Sequence, residues 1–285
     1  MTTPLARLRT RVEALGAPLC VGIDPHPDDL PDGLPGGVAG IETFARGVLE
    51  ATVSDAVAVK INVAFFEAFG ATGWAALERV RRDVPPDVLC ILDAKRGDIG
   101  STAERYAEGV FGYLEADAVT LSPYLGEDAI EPFLAHPDRL VYVLARTTNP
   151  SAARLQDLRV GGEALHLVVA RWVADRWRDG RVGLVVGSTA PRELAQVRAA
   201  VPGPGFLVPG VGAQGGDLAA SVAACRGEWA PGLVSISRGI AGASRGTDWR
   251  QAAAAAAGSL RAVMGDAVLH SMANVARRPI TEARD

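Results

Sequence analysis

The chain has 285 residues, 48% of them hydrophobic and 22% charged, the balance of a folded globular protein with a sizeable core and little disorder. A formal net charge of -4 and a pI near 5.7 argue against a nucleic-acid-binding face, which would be basic, and leave small anions as ligands of local clusters.

A short amphipathic helix over residues 5–15 leads into the first of eight short apolar runs that read as strands: 19–24, 56–62, 88–92, 117–122, 140–145, 182–187, 205–209 and 233–237. They are dominated by apolar residues, the pattern of strands buried on both faces. The segments between them are long enough for helices, and 102–114, 163–178 and 190–200 carry helical periodicity. Eight such units in succession predict an α/β fold, a single closed (β/α)8 TIM barrel, for which about 250 residues is typical. A doubly wound open sheet shares the alternation, but eight units without surplus helices favour the barrel. No linker divides the chain, so one domain over 1–285 is expected, with a barrel core over about 19–260 and a helical tail over 261–285 that ends frayed. Loops 26–37 and 149–162 are long and polar, and the alanine run 252–257 needs only its helix propensity.

The three cysteines, Cys20, Cys90 and Cys225, lack the spacing of a disulfide framework or a zinc ribbon; Cys20 and Cys90 lie in apolar runs as inert core thiols. The amino-terminal stretch has no signal-peptide run, and no eighteen consecutive residues are apolar. A reduced, cytoplasmic chain with no membrane span and no nucleic-acid partner is expected.

In a barrel every strand's carboxyl end opens on one face, so side chains distant in sequence converge there. Those ends supply Asp24, Lys60, Asp93 with Lys95, Thr147 and Thr148, Gln214, and Arg238. Alternating acids and bases on the first three strands point to a catalytic array. After the third strand, Asp93, Lys95, Arg96 and Asp98 put four charges into six residues. In an extended strand Asp93 and Lys95 share a side, so a carboxylate and an ammonium sit together. Gly97 then reads as a turn, and Ser101 or Thr102 as the cap of the next helix.

Gly210, Gly212 and Gly215 follow the seventh strand in G-x-G-x-x-G spacing. A dinucleotide signature would sit at the first βα turn, with an acid ending the next strand; here the next strand ends Ser237-Arg238-Gly239. Loops after strands seven and eight of barrels commonly bind phosphate through backbone N–H groups, and Arg238 adds a planar fork for the same anion. The histidines, His26, His136, His166 and His270, do not cluster, so no metal site is indicated. Covalent catalysis would fall to a lysine Schiff base at Lys60 or Lys95, but flanking carboxylates favour Lys95 as an acid.

The run Asp93-x-Lys95-x-x-Asp98-Ile99-x-x-Thr102 and the glycine loop from Pro209 to Asp217 resemble the signature and phosphate loop of the orotidine 5′-phosphate decarboxylase family, in its longer bacterial branch. Asp24, Lys60 and Ser237-Arg238-Gly239 match in order, so the resemblance spans residues 19–240, with nothing to compare in the tail. It implies cofactor-free decarboxylation of orotidine 5′-monophosphate to uridine 5′-monophosphate, in de novo pyrimidine biosynthesis, by a homodimer with shared sites. Lys95 would protonate C6 within a network of Lys60, Asp93 and the partner's Asp98. Asp93 would face the substrate carboxylate, while Asp24 and the partner's Thr102 would hold ribose hydroxyls. Thr148 stands where the family has a pyrimidine-contacting serine, and adds a methyl. Gln214 and Arg238 match phosphate binders, and Ile99, Pro209, Ser237 and Gly239 complete the implied substrate contacts.

The D-x-K-x-x-D arrangement also resembles metal-dependent sugar-phosphate synthases and decarboxylases, which a chelator would distinguish. An NADP-linked oxidoreductase using the Gly210 to Gly215 loop, with Arg238 on a 2′-phosphate, is a reading of another class, tested by nucleotide binding. A non-catalytic phosphate sensor would not need alternating charges on three strands.

Overall fold

The computed structural model describes residues 2–212 and 214–276. The parallel strands β1 Leu19–Ile23, β2 Ala58–Asn62, β3 Leu89–Arg96, β4 Ala118–Leu121, β5 Leu140–Arg146, β6 Val182–Val186, β7 Phe206–Pro209 and β8 Leu233–Ile236 pair in chain order, and β8 closes onto β1. The expected closed barrel is therefore present, and the open sheet is not. The main helices are α1 Pro4–Leu15, α2 Gly37–Thr52, α3 Gly70–Arg82, α4 Gly100–Ala107, α5 Leu165–Arg176, α6 Pro191–Ala200, α7 Leu218–Ala224 and α8 Trp249–Ala276.

Because strand side chains alternate, each strand feeds two layers. The outer layer packs Ile61, Leu92, Val119 and Val143 against helix residues such as Ile41, Phe44 and Leu77. Each fully buried leucine or isoleucine there contributes roughly 1.5–3 kcal/mol relative to exposure. The inner layer holds Cys20, Ala58, Leu89, Ile91, Ala118 and Tyr142. Helix α1 closes this interior from the amino-terminal end, with Leu8 buried in the same cluster. Thr3 caps the first turn of α1, Gly16 at φ 64° ends it, and Arg11 donates to the carbonyls of Val53 and Ala56.

Following the inward phase up each strand leads from apolar to polar residues: Cys20 to Asp24, Ala58 to Lys60 and Asn62, Ile91 to Asp93, Ala118 to Thr120, Leu233 to Ser235 and Ser237. The barrel thus places its polar residues at one open end, the carboxyl ends of the strands.

Several boundaries differ from the sequence expectation. The predicted helix 102–114 begins at Gly100 and ends in a π-helical turn, Glu108–Tyr113, after Ala107. Its first turn is preceded by Ile99 with no side-chain cap, so neither Ser101 nor Thr102 caps it. Loop 149–162 is built, with short helical turns Pro150–Ala152 and Ala153–Gln156 and a hairpin pairing Arg159–Val160 with Glu163–Ala164. The alanine run and the tail helix are one element, α8, which buries Ala253, Ala257 and Met264 and sets Trp249 against Phe44. By length and mean hydropathy, 1.3, Trp249–His270 within it is long and apolar enough to cross a membrane, although one face packs on the barrel. The expected frayed end, 277–285, lies outside the described residues.

Candidate active site

The polar end of the barrel encloses a cavity of about 560 Å³. Asp24, Lys60, Asp93, Lys95, Thr148, Pro209, Gln214, Ser237 and Arg238 line it, which brings together nine of the residues singled out by sequence. Asp98, Ile99, Thr102 and Gly239 do not line it. The Asp98 carboxylate accepts from the Ile99 N–H at 2.8 Å, and Ile99 and Thr102 are exposed on the outer flank. A groove of about 810 Å³ outside the barrel, between α2 and α8, carries Arg46 paired with Glu42 and with Asp83, and none of the strand-end residues.

At the centre of the cavity one carboxylate bridges two cations. Asp93 Oδ2 accepts from Lys60 Nζ at 2.7 Å, and Asp93 Oδ1 accepts from Lys95 Nζ at 2.6 Å. Thr120 Oγ1 also donates to Oδ1, at 2.9 Å, and Lys60 Nζ lies 3.8 Å from Asp24 Oδ1. Burial opposes both charges, yet the partners prevail. Lys60 and Lys95 hold the Asp93 carboxyl far below the usual carboxylate range, and Asp24 and Asp93 hold Lys60 above the ordinary lysine value. The bare thiol of Cys20, below this array, is pushed up to about 12 by burial, as are those of Cys90 and Cys225, which keeps all three protonated and inert.

The Asp93–Lys95 contact is made differently from the expected flat strand. Lys95 has φ 47°, in the left-handed region that non-glycine residues seldom occupy, and the β3–β4 register shifts between Leu92 and Arg96. The Lys95 N–H donates to Thr120 Oγ1 at 3.0 Å, so one threonine hydroxyl fixes both the bulge and the carboxylate. Gly97 is not in the left-handed region; it lies where an added Cβ would approach the Ser122 carbonyl at 3.1 Å.

The anion-binding end is shaped by backbone. Gly210, Gly212 and Gly215 have φ 104°, 81° and 79°, conformations that glycine alone adopts readily, which explains their spacing. The Gly215 N–H donates to Gly212 O and the Gly216 N–H to Gly210 O, closing a tight loop. Arg238 opens the turn Arg238–Ala241 with its side chain exposed, and its guanidinium has no partner among the described residues. A tight glycine loop lining the same cavity as an uncommitted guanidinium suits a phosphate.

Thr148 stands between these two ends. A Cβ added to Gly187 would lie 2.5 Å from Thr148 Cγ2, and one added to Gly210 would lie 2.9 Å from it. The two glycines therefore make the notch that receives the methyl.

Sequence reasoning missed Thr120, Asn62, Phe65 and His26, which also line the cavity. The inward phase of β2 and β4 would have found Asn62 and Thr120. His26 and Phe65 meet edge to face at 5.7 Å, a contact between the loop after β1 and the short helix Ala64–Glu67 with no signal in either.

Comparison with known proteins adds an independent line. A model of the family described as Orotidine 5′-phosphate decarboxylase / HUMPS matches residues 17–256. The chain is 54% identical over 248 residues to an orotidine 5′-phosphate decarboxylase of Roseiflexus castenholzii, covering 85% of this chain and 90% of that one. It is 48% identical over 251 residues to one of Thermomicrobium roseum, covering 85% and 88%. The structure of the OMP decarboxylase of Leishmania donovani is similar with a TM-score of 0.82 at 40% identity, covering 94% of this chain and 99% of that one.

Proposed function

This chain belongs to the orotidine 5′-phosphate decarboxylase / HUMPS family and decarboxylates orotidine 5′-monophosphate to uridine 5′-monophosphate; we propose that the Lys60–Asp93–Lys95 array performs the reaction, with Lys95 as the proton donor. The observation that carries this reading is the Asp93 carboxylate with a lysine on each oxygen, facing a cavity whose far side is a phosphate-type loop.

The chemistry explains the arrangement. When the bond from C6 to the carboxylate carbon breaks, carbon dioxide leaves and the electron pair stays on C6. No carbonyl of the ring is placed to delocalise that pair, so the site must meet it with fixed positive charge. Lys95 supplies the charge and then the proton: its ammonium passes a proton to C6, becomes an amine, and regains a proton from solvent. Lys60 and Thr120 hold Asp93 in place, and Asp93 faces the substrate carboxylate. Binding energy from the remote phosphate, held by the Gly210 loop, Pro209, Gln214, Ser237, Arg238 and Gly239, offsets that unfavourable contact.

Asp24 takes a ribose hydroxyl in this reading, and Thr148 takes the pyrimidine. Three of the residues left outside the cavity fit a second chain: the partner's Asp98, Ile99 and Thr102 complete the site of a homodimer. A pyrimidine-nucleotide substrate and three unpaired cysteines support the reading of a cytoplasmic enzyme.

The test is direct. Added orotidine 5′-monophosphate should lose its ultraviolet absorbance as uridine 5′-monophosphate accumulates. Tight binding of that nucleotide with no change in it would overturn the reading.

A further inference from the structure

The loop after β5 is tied to the end of that strand by a partly buried charge cluster that the reaction chemistry does not use. Arg146, the last residue of β5, is 8% exposed. Its guanidinium donates to both oxygens of Asp157, Nε to Oδ1 at 2.9 Å and Nη2 to Oδ2 at 3.1 Å, and Nη1 donates to the carbonyl of Thr147 at 2.8 Å. His166, 2% exposed at the start of α5, has Nδ1 3.1 Å from Asp157 Oδ1 and 3.0 Å from the carbonyl of Gln156. Both neighbours are acceptors, so Nδ1 carries the proton and donates. Nε2 is buried without a hydrogen-bond partner among the described residues. Burying an arginine and a histidine with one nitrogen unpaired, around a half-buried aspartate, is costly for a loop that need only connect β5 to α5.

The same loop grips Thr147 from the other side. Gln156 Oε1 accepts from the Thr147 N–H at 2.8 Å, and Gln156 Nε2 donates to Thr147 Oγ1 at 2.9 Å. With Arg146 on its carbonyl, all three polar groups of Thr147 are fixed by the strand end and the loop. Thr148 follows directly, its methyl seated between Gly187 and Gly210 and its side chain lining the cavity.

We propose that Arg146, Gln156, Asp157 and His166 form a brace whose function is to position Thr148 against the pyrimidine end of the site. They are positioning residues: they act through Thr147 and Thr148 and do not touch substrate. The inference rests on the decarboxylase reading for the identity of the ligand at Thr148. A shift of about 1 Å in a positioning group can cost on the order of a hundredfold in rate.

The experiment is a double-mutant cycle on the full chain, with Asp157→Asn, Thr148→Ala and the two combined. Each variant is assayed for turnover of orotidine 5′-monophosphate and for binding of uridine 5′-monophosphate and of ribose 5-phosphate, which lacks the pyrimidine. Asp157→Asn should lower kcat/KM by roughly 10- to 100-fold and weaken uridine 5′-monophosphate, with ribose 5-phosphate affinity unchanged. The combined variant should lose little more than the worse single one, because both lesions act on one contact. If Asp157→Asn does not fold, Gln156→Ala, which releases Thr147 alone, takes its place in the cycle. Equal weakening of both ligands, losses that multiply, or no loss would each overturn the brace. Wild-type chain that fails to turn over orotidine 5′-monophosphate would instead overturn the decarboxylase reading, and the brace's pyrimidine role with it.

Discussion

Lys60 donates to Asp93 at 2.7 Å from a position only 5% exposed, on the inner face of neighbouring strands whose register sets Asn62 opposite Asp93. Neither charge could stay in the barrel alone. Together they make the floor on which Lys95, the more exposed cation, is presented to the cavity.

This pair should leave a signature in acid stability. Asp93 is depressed in the folded chain, so below the unfolded carboxylate value of roughly 3.9 the unfolded chain binds the proton first. The stabilisation is complete above about pH 5 and is lost as pH falls toward the folded value. Lys60, raised in the fold, acts at the other end: its contribution is complete below the unfolded value of roughly 10.4 and is lost as pH rises through the folded value. Urea midpoints measured from pH 6 down to 3 should fall more steeply for wild type than for Asp93→Asn. Parallel curves would mean that the pair does not couple to folding.

Arg238 should act on phosphate and not on the ring. Arg238→Ala is expected to weaken uridine 5′-monophosphate by roughly 2 to 4 kcal/mol and to leave uridine almost unchanged, the pattern of a lost charged clamp. Equal losses for the two ligands, read by calorimetry or competition, would move Arg238 out of the phosphate site.

The notch for the Thr148 methyl makes a reversible prediction. Gly187→Ala puts a Cβ within 2.5 Å of Thr148 Cγ2, an overpacking that costs about 1 to 3 kcal/mol in comparable cores. Turnover should fall in that variant and recover when Thr148→Ser removes the methyl. Failure of the second change to restore activity would show that Gly187 matters for some other contact.

Asp98 and Thr102 do not line their own cavity, and the proposed homodimer turns that into a complementation test. In a two-fold dimer, a chain with Asp93→Asn beside one with Asp98→Asn makes one doubly damaged site and one intact site. Random re-association of equal amounts makes about half the dimers hybrid, so about a quarter of wild-type activity should return. No gain after demonstrated subunit exchange would place Asp98 in its own chain's site or outside catalysis.

What could be read from the sequence follows from what each feature depends on. Asp24, Lys60 and Asp93 were legible because an ionisable residue ending an apolar run is conspicuous, and barrel closure brings such ends together. Thr120 was not, since a strand buried on both faces does not announce which phase points inward, whereas Asn62 follows from the phase of Lys60 two residues before it. The left-handed Lys95 was hidden for a related reason: a strand pattern implies extended backbone, and the bulge is imposed by the β4 neighbour. The loop at 149–162 showed only polarity. Its Arg146–Asp157–His166 cluster joins a strand end, a loop and a helix start, a tertiary fact with no short-range spacing.

If the lysine ammonium held by Asp93 carries out a cofactor-free decarboxylation, it will show in turnover of orotidine 5′-monophosphate in the presence of chelator, by wild type and Lys95→Ala side by side. Wild type should consume the nucleotide at the same rate with and without chelator. Lys95→Ala should lose at least about a thousandfold in turnover, as expected for removal of a positioned acid that also stabilises charge, while still binding uridine 5′-monophosphate. Activity abolished by chelator and restored by magnesium, or near wild-type turnover in Lys95→Ala, would contradict the account.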